Sequence, residues 1–462
     1  MFMKFTWLDP RVGSGSLDPN LPAFVCKTVG GTTVHWHACS LRFQPHEWKA
    51  ATTYGAMAGA NLLDWPVAEE EIAPYYERAE KKMGTTGTHN IPRLPDSNNY
   101  RVLAYGARQV GYKEFDTGNM AINSQPYDGR PACIQLGFCM SGCAIGAKWS
   151  TLYTEIPKAE ATGNFELRPE SMALKINHHA SGKATGVVYV DKNGQQHEQR
   201  ARAVCIAGNS LETPRLLLLS ASTLFPQGLA NSSGQVGKNY MVHVSGAAFA
   251  IMPGEVNFHR GTQMAGIVKD EQYHQPERGF AAGYKFEMFP SSLYNFASSA
   301  KPGGWGRQYA RDIESYRNAA GLWILGEDMP QEQNRVTLDH VVKDRNGLAV
   351  AHVHRVDHPN DTAMREHAWQ RATALYEAAG ARKVYTRGPF PSTHNLGTCR
   401  QSTKPRDGVC DKFGRTHDIK NLFISDGSQF TSSAAANPTL TIVALAIRQA
   451  EFIADAMTKR SI

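Results

Sequence analysis

A short apolar run that ends in a tight turn and a helix most constrains the fold of this 462-residue chain. Residues 203–207 are continuously apolar, which predicts a buried strand, and Gly208 and Asn209 end the run. Residues 211–220 then show helical periodicity, with Pro214 near the start of the helix. Strand, turn and helix in this order predict an α/β arrangement.

The later part of the chain adds a sheet-rich region and a second strand and helix. Residues 242–356 alternate short strand-like runs with loops rich in Gly, Pro and Ser, which favours a large mixed or antiparallel sheet. Residues 361–379 predict an amphipathic helix. Residues 422–425 predict another buried strand, and a long apolar helix is expected from Asn437 to about residue 457.

These patterns predict a chain of α/β class, α+β overall, that is built from two lobes. Residues 1–240 and 386–462 are expected to form one lobe, and residues 241–385 most of the other. The dipeptide Asn193-Gly194 predicts a β-hairpin turn in the first lobe. The first 22 residues or so are expected to be irregular.

Composition excludes several classes of protein. The chain is 42% hydrophobic and 20% charged, as in an ordinary soluble globular protein. Its net charge of +7 is spread along the sequence, and no Lys/Arg-rich run interleaved with aromatic residues favours nucleic acid as a partner. No stretch reaches the roughly 18 consecutive apolar residues of a membrane span. The start lacks the charged and apolar regions of a secretory signal, which leaves the compartment open.

Three of the eight cysteines, Cys133, Cys139 and Cys143, lie in one short segment that contains glycine. Their thiolates could converge on a cluster of irons with one cysteine per metal, which implies a three-iron cluster or a fourth ligand from elsewhere. A zinc site completed by another histidine or cysteine fits the spacing as well. Three buried or free cysteines, or one disulfide and a spare, are the alternatives without metal.

Two residues are candidates for acid–base chemistry or ligand binding. His394 lies in a loop-like segment, and imidazole has the pKa to take a proton from a hydroxyl near neutral pH, although the chain has 17 histidines. Asn437 precedes Pro438 and is therefore expected to be a helix N-cap. The N-terminus of that helix would suit a phosphate or a reduced, anionic flavin ring.

The order of the motifs along the chain resembles the glucose-methanol-choline (GMC) oxidoreductase family. The matching segments are residues 29–36, 205–217, 334–338, 394–400 and 422–441. Within the family the chain is similar to the large flavoprotein subunits of bacterial gluconate, fructose, sorbitol and glucose dehydrogenases. The cysteine spacing of residues 133–143 is similar to the 3Fe–4S site of those subunits.

The resemblance implies an FAD-dependent dehydrogenase that oxidises a hydroxyl of a sugar, a polyol or a gluconate-like sugar acid. In the family pattern His394 removes the hydroxyl proton as hydride leaves carbon for the flavin, because a neutral alcohol does not readily release hydride. Asn437 stands where the family places a second His or Asn that hydrogen-bonds the same oxygen.

The family pattern also implies the FAD contacts. A flavin-contacting loop, a strand that meets the adenine and a segment near the diphosphate and ribityl chain are expected to contribute. His35 aligns with a histidine to which flavin is covalently attached in some relatives. Together with the helix N-terminus, the implied FAD-binding residues are Gly30, Gly31, Thr32, Thr33, His35, Met172, Asp426, Gly427, Pro438 and Thr439.

The resemblance further implies an electron-transfer partner. Cys133, Cys139 and Cys143 would hold a 3Fe–4S cluster within an insertion at about residues 131–150, and electrons would pass from FAD through the cluster to a cytochrome c subunit. A small export subunit would accompany them. The protein would then be periplasmic or membrane-associated through these partners, with a cytoplasmic location left open.

One family feature has no counterpart in the sequence. The strand-turn-helix unit with Gly-x-Gly-x-x-Gly, which holds the FAD diphosphate, is absent, since Gly13 to Ser16 lack the third glycine. The sequence therefore predicts an incomplete FAD-binding lobe that folds marginally and binds FAD poorly or not at all. A truncated, non-catalytic remnant of the fold and an FAD oxidase that produces hydrogen peroxide are the alternative functions.

Overall fold

The structure, a computed structural model, describes residues 5–9, 13–16, 23–293, 296–297, 304–388 and 393–462. Its helices are α1 (Ala50–Tyr54), α2 (Glu69–Met83), α3 (Asn98–Gln109), α4 (Glu155–Glu160), α5 (Asn209–Leu219), α6 (Arg307–Glu314), α7 (Pro359–Ala378) and α8 (Thr439–Thr458). Its strands are β1 (Phe5–Asp9), β2 (Gly13–Ser16), β3 (Phe115–Asp116), β4 (Met172–His178), β5 (Ala184–Val190), β6 (Gln196–Arg200), β7 (Val204–Ile206), β8 (Val244–Ile251), β9 (Ile267–Val268), β10 (Tyr284–Met288), β11 (Ala319–Gly326), β12 (Arg335–Lys343), β13 (Ala349–His354), β14 (Lys383–Arg387) and β15 (Leu422–Ile424).

The largest sheet has six strands in the order β14-β8-β11-β10-β9-β3, and each neighbouring pair is antiparallel. Side chains of helices α3 and α7 share one hydrophobic core with side chains of this sheet. The mixed α/β architecture and the large antiparallel sheet that the sequence predicted are confirmed. The division into lobes at residues 240 and 385 stays a prediction.

Strand β10 has two chemically different faces. Tyr284, Phe286 and Met288 belong to the core that includes residues of α7. Because side chains alternate along a strand, Lys285 and Glu287 point to the opposite face. Both are buried all the same. This polar face leads to the candidate active site.

The predicted strand-turn-helix segments meet in a two-stranded parallel sheet. Strand β7 pairs with β15 in parallel, with Val204 opposite Leu422. Helix α5 follows β7, and a 3-10 turn over Gly427–Gln429 follows β15. The carboxyl ends of both strands therefore lie at the same edge of the sheet, where ligands bind in open α/β sheets.

The first residues that the structure describes are not irregular, so that expectation is wrong. Strand β1 pairs in parallel with β13, and β2 returns antiparallel to β1. Strand β12 completes this sheet beside β13. Phe5 and Trp7 are buried in a small core with residues such as Val353, and this burial explains why the segment is ordered as a strand.

A fourth sheet, which is antiparallel, contains β4, β5 and β6 in sequence order. The turn between β5 and β6 contains Asn193 and Gly194, and the amide N–H of Gly194 donates to the Asp191 carbonyl at 3.1 Å. The predicted hairpin is confirmed. Across the ranges described above, no helix combines the length and apolar character that a membrane crossing demands.

Candidate active site

His394 and His243 form the centre of the candidate site. Their Nδ1 atoms are 3.0 Å apart, and the two rings meet edge to face with centroids 5.0 Å apart. The other ring nitrogen of His243, Nε2, lies 3.0 Å from the carbonyl oxygen of Ser433. A histidine pair is thus fixed to the loop that precedes helix α8.

The backbone at His243 is held in an unusual conformation. Its φ of 69° lies in the left-handed region, which side chains other than glycine seldom adopt. The carboxylate of Asp328 accepts from the backbone N–H groups of Val242 at 2.9 Å and of His243 at 3.0 Å. Such locally strained residues cluster at functional sites, where surrounding bonds over-determine the geometry.

Burial keeps the histidines of the site neutral. It lowers the pKa of His394 well below its usual value, and the nearby charges of His243 and His37 lower it further. Burial, with a contribution from Lys148, also lowers the pKa of His37 to about 4. Near neutral pH these imidazoles are unprotonated, and His394 is therefore able to accept a proton.

Asn437 does not cap helix α8, so the interpretation as an N-cap is wrong. The N-cap position is Pro438, which has no side chain able to accept a hydrogen bond. The Nδ2 atom of Asn437 instead donates to Oε2 of Glu287 at 3.4 Å. Its Oδ1 atom is buried and has no hydrogen-bond partner among the described residues. This unpartnered acceptor suits a ligand group that donates.

Glu287 is a buried carboxyl beside the candidate site. Burial raises its pKa to about 7, although the bond from Asn437 and the charge of Lys285 oppose the shift. Its Oε1 atom, like the Asn437 amide oxygen, is buried without a partner in the described part of the chain. Glu287 therefore stands between neutral and ionised forms near neutral pH.

The predicted flavin loop has the backbone shape that a close-lying ring system needs. Gly30 and Gly31 have φ of 88° and 58°, and the Thr33 hydroxyl donates to the Gly30 carbonyl at 2.5 Å. A Cβ at Gly30 would lie 2.7 Å from the Cβ of Leu152, so no larger residue fits there. A Cβ at Gly31 would meet open space, and Thr32 is exposed. The loop thus fits a flat cofactor such as the flavin of FAD.

His35, also in this loop, is exposed and contacts the cysteine segment. Its Nδ1 atom lies 3.0 Å from the carbonyl oxygen of Met140. The structure therefore joins the predicted flavin loop to the segment with three cysteines. Flavin attachment at His35 stays a prediction.

Asp426 makes an internal network at the edge of the parallel sheet. Its Oδ2 atom accepts from the backbone N–H of Asn209 at 2.9 Å and from the hydroxyl of Thr213 at 2.5 Å. Its Oδ1 atom accepts from the N–H of Ser428 at 2.8 Å. The carboxylate thus ties the start of α5 to the turn at Gly427. Asp426 shapes the predicted FAD site through these bonds.

The remaining predicted FAD contacts lie on two elements. Pro438 and Thr439 stand at the N-terminus of α8, as expected. Met172 begins β4, and its sulfur accepts from Nδ2 of Asn346 at 3.1 Å. The FAD-binding roles of these residues stay predictions.

The three cysteines of the predicted cluster are near one another but are not arranged as metal ligands. The charges of Cys133 and Cys143 help to raise the pKa of Cys139, after the larger effect of burial. Within the described ranges, no three His, Cys, Asp or Glu side chains are placed to hold a metal ion. No disulfide joins these cysteines either, and all three thiols are free. The positions of the described side chains thus do not support the predicted 3Fe–4S cluster.

Three residues of this site were missed by the sequence analysis. His243 and His37 are two of 17 histidines, and no spacing distinguishes them. Glu287 alternates with apolar residues, a pattern that ordinarily predicts a solvated strand face. Only the packing of β10 against the rest of the molecule shows that Glu287 is buried.

The neutral histidine pair is suited to removing a proton from a hydroxyl, and the glycine loop has room for a flat cofactor. Comparison with known proteins agrees with this class. Sequence models described as GMC oxidoreductase match residues 13–245 and 330–446. The chain belongs to the GMC oxidoreductase family.

Individual relatives are similar over most of their length. The 2-methyl-1,2-propanediol dehydrogenase of Mycolicibacterium austroafricanum is 33% identical, over 93% of this chain and 81% of its own. The fructose dehydrogenase large subunit of Gluconobacter japonicus is 32% identical, over 93% and 80%. A solved structure of a formate oxidase variant from Aspergillus oryzae RIB40 has a TM-score of 0.66 at 13% identity, covers 99% of this chain and 88% of its own, and shows the common fold.

Membership of this family confirms the prediction of a flavoprotein oxidoreductase that acts on CH–OH groups of alcohols or sugar-like molecules. FAD is the cofactor of the family. The more specific predictions of substrate, electron acceptor and cluster go beyond these matches.

Proposed function

We propose that the protein is an FAD-dependent dehydrogenase that oxidises a hydroxyl of a small polyol, a sugar or a sugar acid, with His394 as the base. The observation that carries the proposal is the neutral pair of His394 and His243. Two relatives, a diol dehydrogenase and a fructose dehydrogenase subunit, support this substrate class.

The hydrogen bonds of the histidine pair support one ring nitrogen of His394 as the proton acceptor. A carbonyl oxygen only accepts, so Nε2 of His243 carries a hydrogen toward Ser433. Nδ1 of neutral His243 is then an acceptor, and Nδ1 of His394 donates to it. The lone pair of His394 therefore lies on Nε2, and this atom takes the substrate proton.

Asn437 assists at the same oxygen in this proposal. Because Glu287 holds its amide nitrogen, Oδ1 accepts a hydrogen bond from the substrate and orients the hydroxyl. FAD, when bound, supplies the acceptor for the electron pair and hydrogen that leave carbon. Because His243 and His37 are neutral, they do not repel the proton that His394 takes up.

The pKa of His394 predicts the pH dependence of the reaction. A base works when it is unprotonated, and burial lowers the pKa of His394 below 6.5, so activity is retained as the pH falls through 6.5. We expect the acid limb of kcat/KM to lie below pH 6.5. Initial rates with an artificial electron acceptor, on both sides of that pH, measure the limb. A midpoint above 6.5 would contradict the assignment.

The cysteine segment has a surface suited to a protein partner. Four of its apolar side chains are exposed: Ile134, Leu136, Phe138 and Met140. Large apolar side chains exposed together in one short segment are typical of an interaction site. We propose that an electron-accepting protein, a cytochrome c in line with the family resemblance, docks there. The small export subunit and a periplasmic or membrane-associated location rest on that resemblance.

A 3Fe–4S cluster at Cys133, Cys139 and Cys143 stays a proposal based on spacing. Iron and sulfide analysis of anaerobically purified protein tests it. About three irons per chain, lost in a Cys139→Ser variant, would support the cluster. Protein that binds FAD but contains no iron would exclude it.

Absorption spectroscopy tests the main function. The protein is purified anaerobically, and spectra are recorded before and after addition of polyols, sugars and sugar acids. Flavin bands in the blue that bleach with one of these compounds, without peroxide formation in air, would support a dehydrogenase. Rapid peroxide formation would identify an oxidase. Protein without flavin bands or any activity would overturn the proposal and favour a non-catalytic remnant.

A further inference from the structure

A polar cavity of about 560 Å³ is lined in part by Lys285, on the polar face of β10 that also carries Glu287. Helix α2, the segment around residues 41–44 and the region of β9 and β10 form its walls. Six of the lining residues carry the argument: Arg42, Glu80, Glu114, Gln272, Tyr273 and Lys285.

Lys285 is a buried ammonium without a partner in the wall of this cavity. Only 1% of the residue is exposed, and apolar Leu325 lies opposite it in the sheet. In the described part of the chain, no group forms a hydrogen bond or an ion pair with it. Burial lowers its pKa, and the more distant charges of Glu47 and Glu287 oppose this effect. The amine of Lys285 lines the cavity without a hydrogen-bond acceptor from the described residues, so it can donate to a ligand there.

Gln272 supplies the complementary group in the same cavity. Its Nε2 donates to Glu114 at 3.3 Å, whereas its Oε1 is buried and has no partner among the described residues. An unsatisfied donor at Lys285 and an unsatisfied acceptor at Gln272 therefore line one space. A hydroxyl group, which both donates and accepts, satisfies such a pair.

The charges around the cavity favour a neutral ligand. Arg42 binds both carboxylate oxygens of Glu80 at 2.7 Å, and the Tyr273 hydroxyl donates to Glu114 at 2.9 Å. Cationic and acidic side chains thus both line the wall. An anion would gain from Lys285 but would be repelled by Glu114.

The cavity is next to the groups that act on the reacting hydroxyl. Lys285 and Glu287 are two positions apart on the same face of β10, a separation of about 7 Å. Glu287 in turn holds the Asn437 amide. The side chains of Lys285 and Glu287 thus place the cavity and the Asn437 amide on the same polar face of β10.

We propose that this cavity binds the hydroxyl groups of a neutral polyol or monosaccharide that are not being oxidised, and that Lys285 is the residue that selects such substrates. The inference rests on the proposed function of His394 and Asn437. It distinguishes polyhydroxylated substrates from simple alcohols and from sugar acids.

The test is a Lys285→Met variant of the full chain with FAD. We expect the dissociation constant and the KM for sorbitol to rise at least about tenfold, because a hydrogen bond to a charged group is lost. The KM for 1,2-propanediol, which is too short to reach Lys285, should change less than about twofold. Gln272→Leu should act in the same direction. Lys192→Met, at an exposed lysine, is the matched control.

Thermal unfolding separates this role from a structural one. Removing an unpaired buried charge should leave Tm unchanged or raise it. A lower Tm, or an equal rise in KM for sorbitol and 1,2-propanediol, would overturn the inference.

Calorimetry of sorbitol binding distinguishes a failure of the cavity assignment from a failure of the proposed function. If no alcohol is oxidised but sorbitol binds through Lys285, the proposed function fails and the cavity assignment stands. If alcohols are oxidised but the Lys285→Met variant binds sorbitol as tightly as the unchanged protein, only the cavity assignment fails.

Discussion

Replacing His394 with alanine should lower the rate of flavin reduction by about 1000-fold, the middle of the range for a general base. The lone pair that accepts the substrate proton lies on this residue, and His243 cannot replace it because Nε2 of His243 is bound to the Ser433 carbonyl. Rapid mixing of the FAD-loaded protein with substrate, followed by absorbance in the blue, measures this rate directly.

An exposed histidine provides the control for this experiment. His340→Ala removes an imidazole from the surface, and it should leave flavin reduction unchanged. The flavin spectrum before mixing shows whether each variant holds FAD. If His394→Ala retains more than about a tenth of the rate, another group is the base and the assignment is wrong.

Replacing Asp426 with alanine should lower the free energy of unfolding by about 3 kcal/mol or more. The carboxylate accepts three hydrogen bonds, from Asn209, Thr213 and Ser428, and the residue is only 7% exposed. Alanine would leave buried donors without an acceptor, and each such group costs about 1–3 kcal/mol. Urea unfolding followed by tryptophan fluorescence measures the loss.

Asp191 is the matched control for Asp426. It also accepts from two backbone N–H groups, those of Asn193 and Gln195, but in an exposed turn. Water can replace it there, so Asp191→Ala should cost about 1 kcal/mol or less. Asp426→Asn keeps one acceptor oxygen, so its loss of unfolding free energy should lie between those of Asp426→Ala and Asp191→Ala. Equal losses for Asp426→Ala and Asp191→Ala would show that the buried network adds nothing.

Sequence reasoning succeeded where the signal is local. The apolar run that becomes β7, the turn after it and helix α5 are encoded within about 20 consecutive residues, and the structure has all three. The hairpin at Asn193-Gly194 has the same origin. In each case neighbouring residues decide the conformation, so no information about distant partners is needed.

Long-range pairing accounts for what was missed in the fold. Strand β1 contains Phe5 and Trp7, but its partner is β13, some 346 positions away. Nothing within the first residues indicates that partner. For the same reason the burial of Lys285 and Glu287 could not be predicted. Their alternation with apolar residues is also typical of a strand with one face in water.

The site was predicted in part for a similar reason. His394 and Asn437 lie in motifs that the family resemblance brings out, and the structure places both beside the loop before α8. His243, which orients the His394 ring, comes from a separate segment. Three closely spaced cysteines suggested a cluster, but spacing does not specify side-chain positions, and among the described residues no three side chains are grouped to hold a metal ion.

The parallel pair of β7 and β15 also has a consequence for biosynthesis. Asn209 and Asp426, which clasp the two strand ends, are 217 positions apart. At typical rates of translation, the ribosome needs roughly 10 to 40 s to travel that distance. During this interval the edge of β7 has no partner, and unpaired strand edges promote aggregation. We therefore expect the nascent chain to need chaperone protection until β15 has emerged, and the yield of folded protein to rise when synthesis is slowed or chaperones are abundant.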